Sequence, residues 1–178
     1  MIRAVTLDAA AHGTEVVGVK DGFLGLIEDR TRMLAAEDVA EILTIGGSIL
    51  GCSNKANPSK FATGKDAAGC MVFSDVRSRC WETIAKHGIE ALVVIGGDGT
   101  MQCAQGLVGG AGQPRINCVG IPKTIDNDIP GTEMSFGFLT AVETATQALD
   151  RVQNTAASHH RAIVVEVMGR QAGWIALF

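Results

Sequence analysis

Three short apolar runs in the sequence each end in glycine or polar residues and are followed by a helical pattern. The runs cover residues 91–95, 116–121 and 162–167, and the helical patterns follow residue 100, cover residues 137–159 and begin near residue 171. Alternating strands and helices of this kind form parallel sheets covered by helices, with ligands bound where the strands end. The sequence therefore predicts an α/β fold with a Rossmann-like parallel sheet and helices on both faces.

Composition fits one domain and excludes several classes of protein. The chain has 178 residues, of which 47% are hydrophobic and 19% charged, with a formal net charge of -4 and no cluster of Lys or Arg. These values favour a folded α/β domain and argue against nucleic acid or an anionic membrane as a partner. Five cysteines without a Cys-x-x-Cys pair suggest neither zinc nor disulfides, and the lack of a signal sequence or membrane span predicts a cytoplasmic location.

The first apolar run leads into a Gly-Gly-Asp-Gly-Thr sequence at residues 96–100. Glycines such as Gly97 and Gly99 let a backbone approach an anion closely, and the following helix offers free amides and a positive dipole end. Asp98 could bring a divalent cation to such an anion. The alternative interpretation is a tight strand-to-helix turn with no ligand, and the motif by itself is only moderately specific for phosphate.

The second run leads into a Pro-Lys-Thr-Ile-Asp-Asn-Asp sequence at residues 122–128. Two carboxylates two residues apart, Asp126 and Asp128, can divide the work of accepting a proton and holding a metal ion. Asp and Asn also stabilise turns by bonding their own backbone, so an ordinary turn is the alternative.

Basic and glycine residues surround the third run. Gly169 permits a turn there, and Arg170 at the start of the next helix could bind phosphate oxygens with its forked guanidinium. Arg161 is either a second anion ligand or a solvated surface residue. Residues 21–26 are predicted to form a loop, and residues 46–69 a surface loop with little regular structure.

Taken together and in this order, the three sequences resemble the phosphofructokinase family. They are Gly-Gly-Asp-Gly-Thr at residues 96–100, Pro-Lys-Thr-Ile-Asp-Asn-Asp at 122–128 and Met-Gly-Arg at 168–170. The combination is highly specific, and the likeness extends over essentially the whole chain, including residues 21–26, 46–51 and 135–138. Lipid kinases and NAD kinases share the glycine-rich motif but lack the Thr-Ile-Asp-Asn-Asp element.

The resemblance implies phosphoryl transfer to the 1-hydroxyl of fructose 6-phosphate, giving the 1,6-bisphosphate, with Mg²⁺. Its implied catalytic residues are Asp126 as the base, Thr124 and Arg170. The implied substrate-binding residues are Thr124, Asp126, Asp128, Arg161, Met168, Gly169 and Arg170. The implied donor-binding residues are Gly97, Asp98, Gly99, Thr100 and Lys123, with Asp98 as the metal ligand.

The resemblance leaves the phosphoryl donor open between ATP and pyrophosphate. Gly99 leaves room for the α-phosphate of ATP where pyrophosphate-using relatives usually carry Asp, whereas Lys123 is the residue usual in pyrophosphate enzymes. A branch with Gly and Lys together resembles ATP users, so ATP is the predicted donor.

The resemblance also implies a homo-oligomer, a dimer or tetramer, because Arg161 matches an arginine that reaches a neighbouring subunit's sugar phosphate. Against the family pattern, residues 1–178 are expected to be a single partial domain, mainly the nucleotide-binding lobe, without the first strand, its glycine-rich loop and the C-terminal part. Such a piece is expected to be inactive alone. The alternative is a noncatalytic phosphate-binding or regulatory module.

Overall fold

The computed structural model describes residues 1–109, 114–169 and 171–178. The chain divides into two compact units, one made of residues 1–92 and 103–119, the other of residues 93–102 and 120–178. The prediction that they form a single partial domain stays a prediction. No helix among the described residues is long and apolar enough to cross a membrane.

The first unit contains mostly short elements. It begins with helix α1 (Ile2–Ala11), strand β1 (Val16–Val19), helix α2 (Phe23–Ile27) and strand β2 (Thr31–Leu34), followed by a 3-10 helix over Glu37–Val39. Strands β3 (Phe61–Lys65) and β4 (Met71–Ser74) and helix α3 (Arg77–Lys86) follow. β1 pairs with β2 and β3 pairs with β4, both antiparallel, so each pair forms a two-stranded ribbon.

The apolar core of the first unit lies between α2 and α3. Cys80 and Leu107 are completely buried in it, and Leu26, Ile27 and Ile84 are at most 5% exposed. Burial of such side chains contributes roughly 25 cal/mol per Å² of apolar surface removed from water. This cluster explains why residues 23–27 are helical although the sequence predicts a loop there.

The elements that carry the predicted motifs follow one another along the chain. They are strand β5 (Ala91–Gly96), helix α4 (Asp98–Val108), strand β6 (Asn117–Thr124), strand β7 (Phe136–Gly137), helix α5 (Phe138–His159) and helix α6 (Trp174–Leu177). β5, β6 and β7 form one sheet in that order, and β6 pairs with β7 in parallel. The predicted α/β class, with its parallel sheet and flanking helices, is confirmed.

In the second unit, α4 packs on β6 where β6 has a glycine. Met101 of α4 lies so close to Gly120 that a methyl group on Gly120 would be only 2.6 Å from the Met101 sulfur. At the far end of the unit, the rings of Phe138 and Phe178 meet edge to face with centroids 5.4 Å apart. Phe138, at the start of α5, is 1% exposed.

Two other predictions about local structure are wrong. The apolar residues 162–167 form no strand, and Val164 is 96% exposed, because the segment pairs with no neighbouring strand in the described part of the chain. β-propensity alone does not form a strand without a partner that accepts its hydrogen bonds. The predicted loop at 46–69 contains β3, which exists because β4 supplies the partner strand.

Candidate active site

The turn between β5 and α4 is tight, as its glycine-rich sequence predicts. Only Gly97 separates the last residue of β5 from the first residue of α4, and its carbonyl oxygen accepts the amides of Thr100 and Met101, each at 3.0 Å. Gly96 is buried, and a methyl group there would lie 2.6 Å from Cβ of Thr100. The first turn of α4 is therefore pressed against the end of β5.

Asp98 is the first residue of α4 and is exposed to solvent. One of its carboxylate oxygens, Oδ2, accepts a hydrogen bond of 2.7 Å from Nε2 of Gln102, one turn further along the helix. The N-terminal end of an eleven-residue helix carries a positive partial charge and favours an anion. This end of α4 therefore combines a positive partial charge with an exposed carboxylate.

The acidic motif begins at the carboxyl end of β6. Thr124 is the last residue of the strand and is half-buried, whereas Lys123 before it is exposed. The hydroxyl oxygen Oγ1 of Thr124 accepts the amide of Asp126 at 3.1 Å. Asn127 has a φ of 51°, a left-handed conformation that Asn tolerates better than most residues. The motif is a compact turn that presents half-buried Asp126 and exposed Asp128.

Ser135 donates two hydrogen bonds to this turn. Its hydroxyl donates a hydrogen bond of 2.8 Å to the carbonyl oxygen of Thr124, and its amide donates one of 2.8 Å to Oδ1 of Asn127. The residues that follow Ser135 form β7, in which Phe136 lies opposite Lys123 and Gly137 opposite Thr124.

The two motifs are in contact in the second unit. A methyl group on Gly97 would lie 3.6 Å from Cβ of Thr124, 3.8 Å from Oγ1 of Thr124 and 3.7 Å from the carbonyl oxygen of Lys123. These are ordinary van der Waals distances, so the space between Gly97 and Thr124 is about the size of a methyl group. Asp98 follows Gly97 directly and Asp126 is two residues beyond Thr124. The structure therefore brings the two predicted loops together.

The third predicted part of the site is described incompletely. Met168 is 77% exposed, Arg161 is exposed, and Gly169 is buried and accepts the amide of Ala172 at 2.7 Å. No hydrogen bond or ion pair among the described residues joins Arg161 or Met168 to the two loops. Arg170 lies outside the described residues. The roles of all four residues stay predictions.

The carboxylates of the described residues fit Mg²⁺ only where oxygens of a bound substrate supply the remaining ligands of the ion. No group of three or more His, Cys, Asp or Glu side chains among residues 1–109, 114–169 and 171–178 could hold a metal ion. Mg²⁺ is commonly bound through one or two carboxylates together with water and the phosphates of a substrate. The exposed carboxylate of Asp98, at a helix end suited to phosphate, fits that mode.

Two residues of the site were missed by reasoning from sequence. Gln102 lies four residues after Asp98 on a helix, a spacing at which side chains meet, so the spacing could have revealed it. The contact between Ser135 and Thr124 joins residues eleven positions apart, a separation at which the sequence predicts no contact.

A strand that ends in a glycine-rich turn and a helix, beside a second strand that ends in carboxylates, defines an α/β protein whose ligands are expected at the carboxyl ends of its strands. Comparison with known proteins makes the class specific. The family model for phosphofructokinase matches residues 1–178, and the chain belongs to the phosphofructokinase family.

The chain is similar to curated and structurally characterised members of this family. It is 47% identical over 178 residues to "ATP-dependent 6-phosphofructokinase 2" of Clostridium perfringens, covering 99% of this chain and 47% of that protein. It is 45% identical to "Pyrophosphate--fructose 6-phosphate 1-phosphotransferase" of Amycolatopsis methanolica, covering 99% and 47%. Its fold matches the Pichia pastoris phosphofructokinase structure with a TM-score of 0.82 and 32% identity, covering 99% of this chain and 19% of that one. The chain spans about half the length of the curated relatives that it matches.

Proposed function

We propose that this chain is part of a 6-phosphofructokinase, which transfers the γ-phosphoryl group of ATP to the 1-hydroxyl of fructose 6-phosphate. The closeness of Gly97 and Thr124 carries the proposal, because a glycine-rich turn of the kind that binds phosphate lies beside a turn that presents carboxylates. Relatives at 45–47% identity bear names of enzymes that act on fructose 6-phosphate. The products are ADP and fructose 1,6-bisphosphate.

Asp126 acts as the general base in this proposal. The 1-hydroxyl oxygen of the sugar attacks the γ-phosphorus, the bond from that phosphorus to the oxygen shared with ADP breaks, and the hydroxyl proton passes to the Asp126 carboxylate. A carboxylate positioned within hydrogen-bond reach of the hydroxyl contributes about 10²–10⁴-fold to the rate. The hydrogen bond from the backbone amide of Asp126 to Oγ1 of Thr124 supports this position of Asp126.

The remaining polar groups supply position and charge, on which phosphoryl transfer mainly depends. Thr124 and Asp128 support the transferring group, and Gly97, Gly99 and Thr100 offer backbone close to the donor phosphates. Mg²⁺, held by Asp98, would neutralise charge on the donor phosphates when bound. Arg170 offsets the charge that develops in the transition state.

On the sugar side, Met168 and Gly169 border the hexose, and Arg161 binds the 6-phosphate held by a neighbouring subunit. That arrangement requires a homo-oligomer, a dimer or tetramer, which we place in the cytoplasm. The exposure of Arg161 and Met168 supports these two roles, because both side chains are accessible to a substrate or a partner subunit.

ATP is the donor that the geometry favours over pyrophosphate. A methyl group on Gly99 would have no atom within 4 Å, so the start of α4 is open at this position and leaves room for the α-phosphate of a nucleotide. Lys123, exposed beside the turn, would bind donor phosphate oxygens. Relatives of both donor types occur at similar identity, so the donor must be tested directly.

In the test, the purified full-length protein is incubated with fructose 6-phosphate, Mg²⁺ and either ATP or pyrophosphate. The sugar bisphosphate that forms is measured by ³¹P NMR. We expect fructose 1,6-bisphosphate from ATP, and loss of turnover by about 10²–10⁴-fold in Asp126→Asn. Asp150→Asn, an exposed carboxylate on α5, is the matched control and should turn over like the parent protein. Product from pyrophosphate alone would overturn the ATP assignment, and ATP binding without any product would indicate a noncatalytic module.

A further inference from the structure

Ser135 is one of the few buried polar residues in the described part of the chain. Its side chain and backbone together are 4% exposed, although it lies next to loop residues that are open to solvent. Leaving a buried hydroxyl without a hydrogen bond costs free energy, so the partner of such a hydroxyl indicates what it does in the fold. That partner is the carbonyl oxygen of Thr124, at 2.8 Å.

The hydrogen bonds of Ser135 enclose the proposed catalytic base. The hydroxyl holds Thr124 on one side of Asp126, and the amide holds Oδ1 of Asn127 on the other side, also at 2.8 Å. Between these anchors, the Asp126 amide is bound to Thr124 Oγ1. Thr124 and Asn127 are therefore held directly by Ser135, and Asp126 is held through Thr124.

Ser135 is itself held in place by the sheet. The next two residues, Phe136 and Gly137, form β7 and pair in parallel with Lys123 and Thr124. The residue that holds the turn is therefore itself held by the pairing of β7 with β6.

Capping of the following helix does not explain the Ser135 hydroxyl. Serine shortly before a helix commonly caps it by accepting a hydrogen bond from a backbone amide in the first turn. Here α5 begins at Phe138 with Gly137 as its N-cap and has no side-chain cap. The hydroxyl donates toward the acidic turn instead.

We propose that Ser135 is a positioning residue that fixes the turn carrying Asp126, an inference that rests on the proposed function for the role of Asp126. Without the hydroxyl, the Thr124 carbonyl loses its buried donor and the turn gains freedom. A displacement of about 1 Å at a catalytic group can cost about 10²-fold in rate. Ser135 therefore acts on the rate through Asp126 while touching neither substrate.

The experiment compares three variants of the full-length gene product. Ser135→Ala removes the hydroxyl, and Ser135→Thr keeps it. Ser158→Ala is the matched control, because Ser158 on α5 donates a hydrogen bond of the same 2.8 Å length to the carbonyl oxygen of Asn154. Amide hydrogen exchange of residues 125–127 and steady-state kcat and KM are measured for each.

In Ser135→Ala we expect exchange at residues 125–127 to rise about tenfold, the factor expected for one lost net hydrogen bond. We expect kcat to fall by about 10- to 100-fold, with KM for both substrates changed less than about threefold, because the other binding groups lie outside this turn. Ser135→Thr should keep both values within about threefold of the parent protein, and Ser158→Ala should match the parent protein.

Equal exchange at residues 125–127 in Ser135→Ala and Ser158→Ala would overturn the proposal. If Ser135→Ala fails to fold, Asn127→Gly removes the other anchor while glycine keeps the left-handed backbone, and it should loosen the same turn. Unchanged exchange in Asn127→Gly would then count against the proposal. Hydrogen exchange decides the role of Ser135 and turnover decides the proposed function, so the two can fail separately.

Discussion

Gly97 lies against Thr124, so that a methyl group on the glycine would be 3.6 Å from Cβ of the threonine. The first residue belongs to the turn that starts α4 and the second ends β6. This contact joins the glycine-rich turn to the acidic turn. The proposed phosphoryl transfer depends on that contact.

Gly96, which ends β5, and Gly97, which follows it, should respond differently to alanine. In Gly96→Ala the new methyl would lie 2.6 Å from Cβ of Thr100, a branched side chain that cannot easily turn away, so we expect a loss of about 1–3 kcal/mol in the free energy of unfolding. In Gly97→Ala the methyl fits at ordinary contact distance, so stability should change by less than about 1 kcal/mol. Urea denaturation measures both values.

The same pair should separate fold from ligand binding. Gly97→Ala places a methyl beside Thr124, where we expect donor phosphate to approach, so its affinity for ATP should fall although its stability does not. Equal stability of the two alanine variants would show that the turn is looser than the structure has it. Unchanged ATP affinity in Gly97→Ala would remove this glycine from the donor site.

Gly99→Asp should fold normally and discriminate against ATP. A first side-chain carbon at this position meets no neighbouring element within 4 Å, so the substitution fits the fold, but its carboxylate would repel the α-phosphate of the nucleotide. Like charges brought together at a binding site cost enough to raise KM for ATP by at least about tenfold. Gly99→Ala separates bulk from charge and should show a much smaller change. A Gly99→Asp variant with parental KM for ATP would contradict the proposed approach of the nucleotide.

Asp29 should make stability depend on pH. Hydrogen bonds to the Asp29 carboxylate from Lys86 at 2.5 Å and from His87 at 2.6 Å hold the pKa of this carboxyl below its usual value of 3.8. A carboxyl with a depressed pKa in the folded state stabilises the protein above its unfolded pKa and loses that contribution as pH falls through the folded value. Asp29→Asn should therefore be less stable than the parent protein at pH 7, and the difference should shrink below about pH 4.

Thermal unfolding between pH 3 and pH 7 measures this difference. Asp150→Asn, which changes an exposed carboxylate on α5, should show no comparable trend. A stability difference between Asp29→Asn and the parent protein that is constant over this range would rule out the ion pairs as its cause.

The cysteines should differ in reactivity according to burial. Cys80 is completely buried, and burial raises the pKa of its thiol to about 12, so almost none is present as the reactive thiolate near neutral pH. Cys52 and Cys70 are exposed. With iodoacetamide at pH 8, mass spectrometry should find Cys52 and Cys70 labelled first and Cys80 labelled only after unfolding. Labelling of native Cys80 as fast as Cys70 would show that the α2 and α3 packing opens readily.

Local sequence signals predicted the elements that carry the site and failed for elements that depend on distant contacts. β5, α4, β6 and α5 follow from apolar runs, glycines and helical periodicity. α2 was missed because a five-residue helix containing Gly25 has little intrinsic helix propensity, and burial of Leu26 and Ile27 stabilises it instead. The predicted strand at 162–167 was wrong because strand formation also requires a neighbour.

The candidate site shows the same division. The sequence predicted that the turns containing Asp98 and Asp126 share one edge of the sheet, because each ends a strand, and the contact between Gly97 and Thr124 agrees with this. Ser135 could not be predicted, since its bond to Thr124 depends on how residues 125–134 fold back. The roles assigned to individual site residues stay predictions.

The most direct test of the shared site is an NMR titration of the ¹⁵N-labelled protein with ATP and Mg²⁺. We predict that the amides of residues 97–101 and those of residues 124–127 shift together and follow one saturation curve. Shifts confined to one of the two turns, or two curves with different midpoints, would contradict the conclusion that both turns bind a single phosphoryl donor.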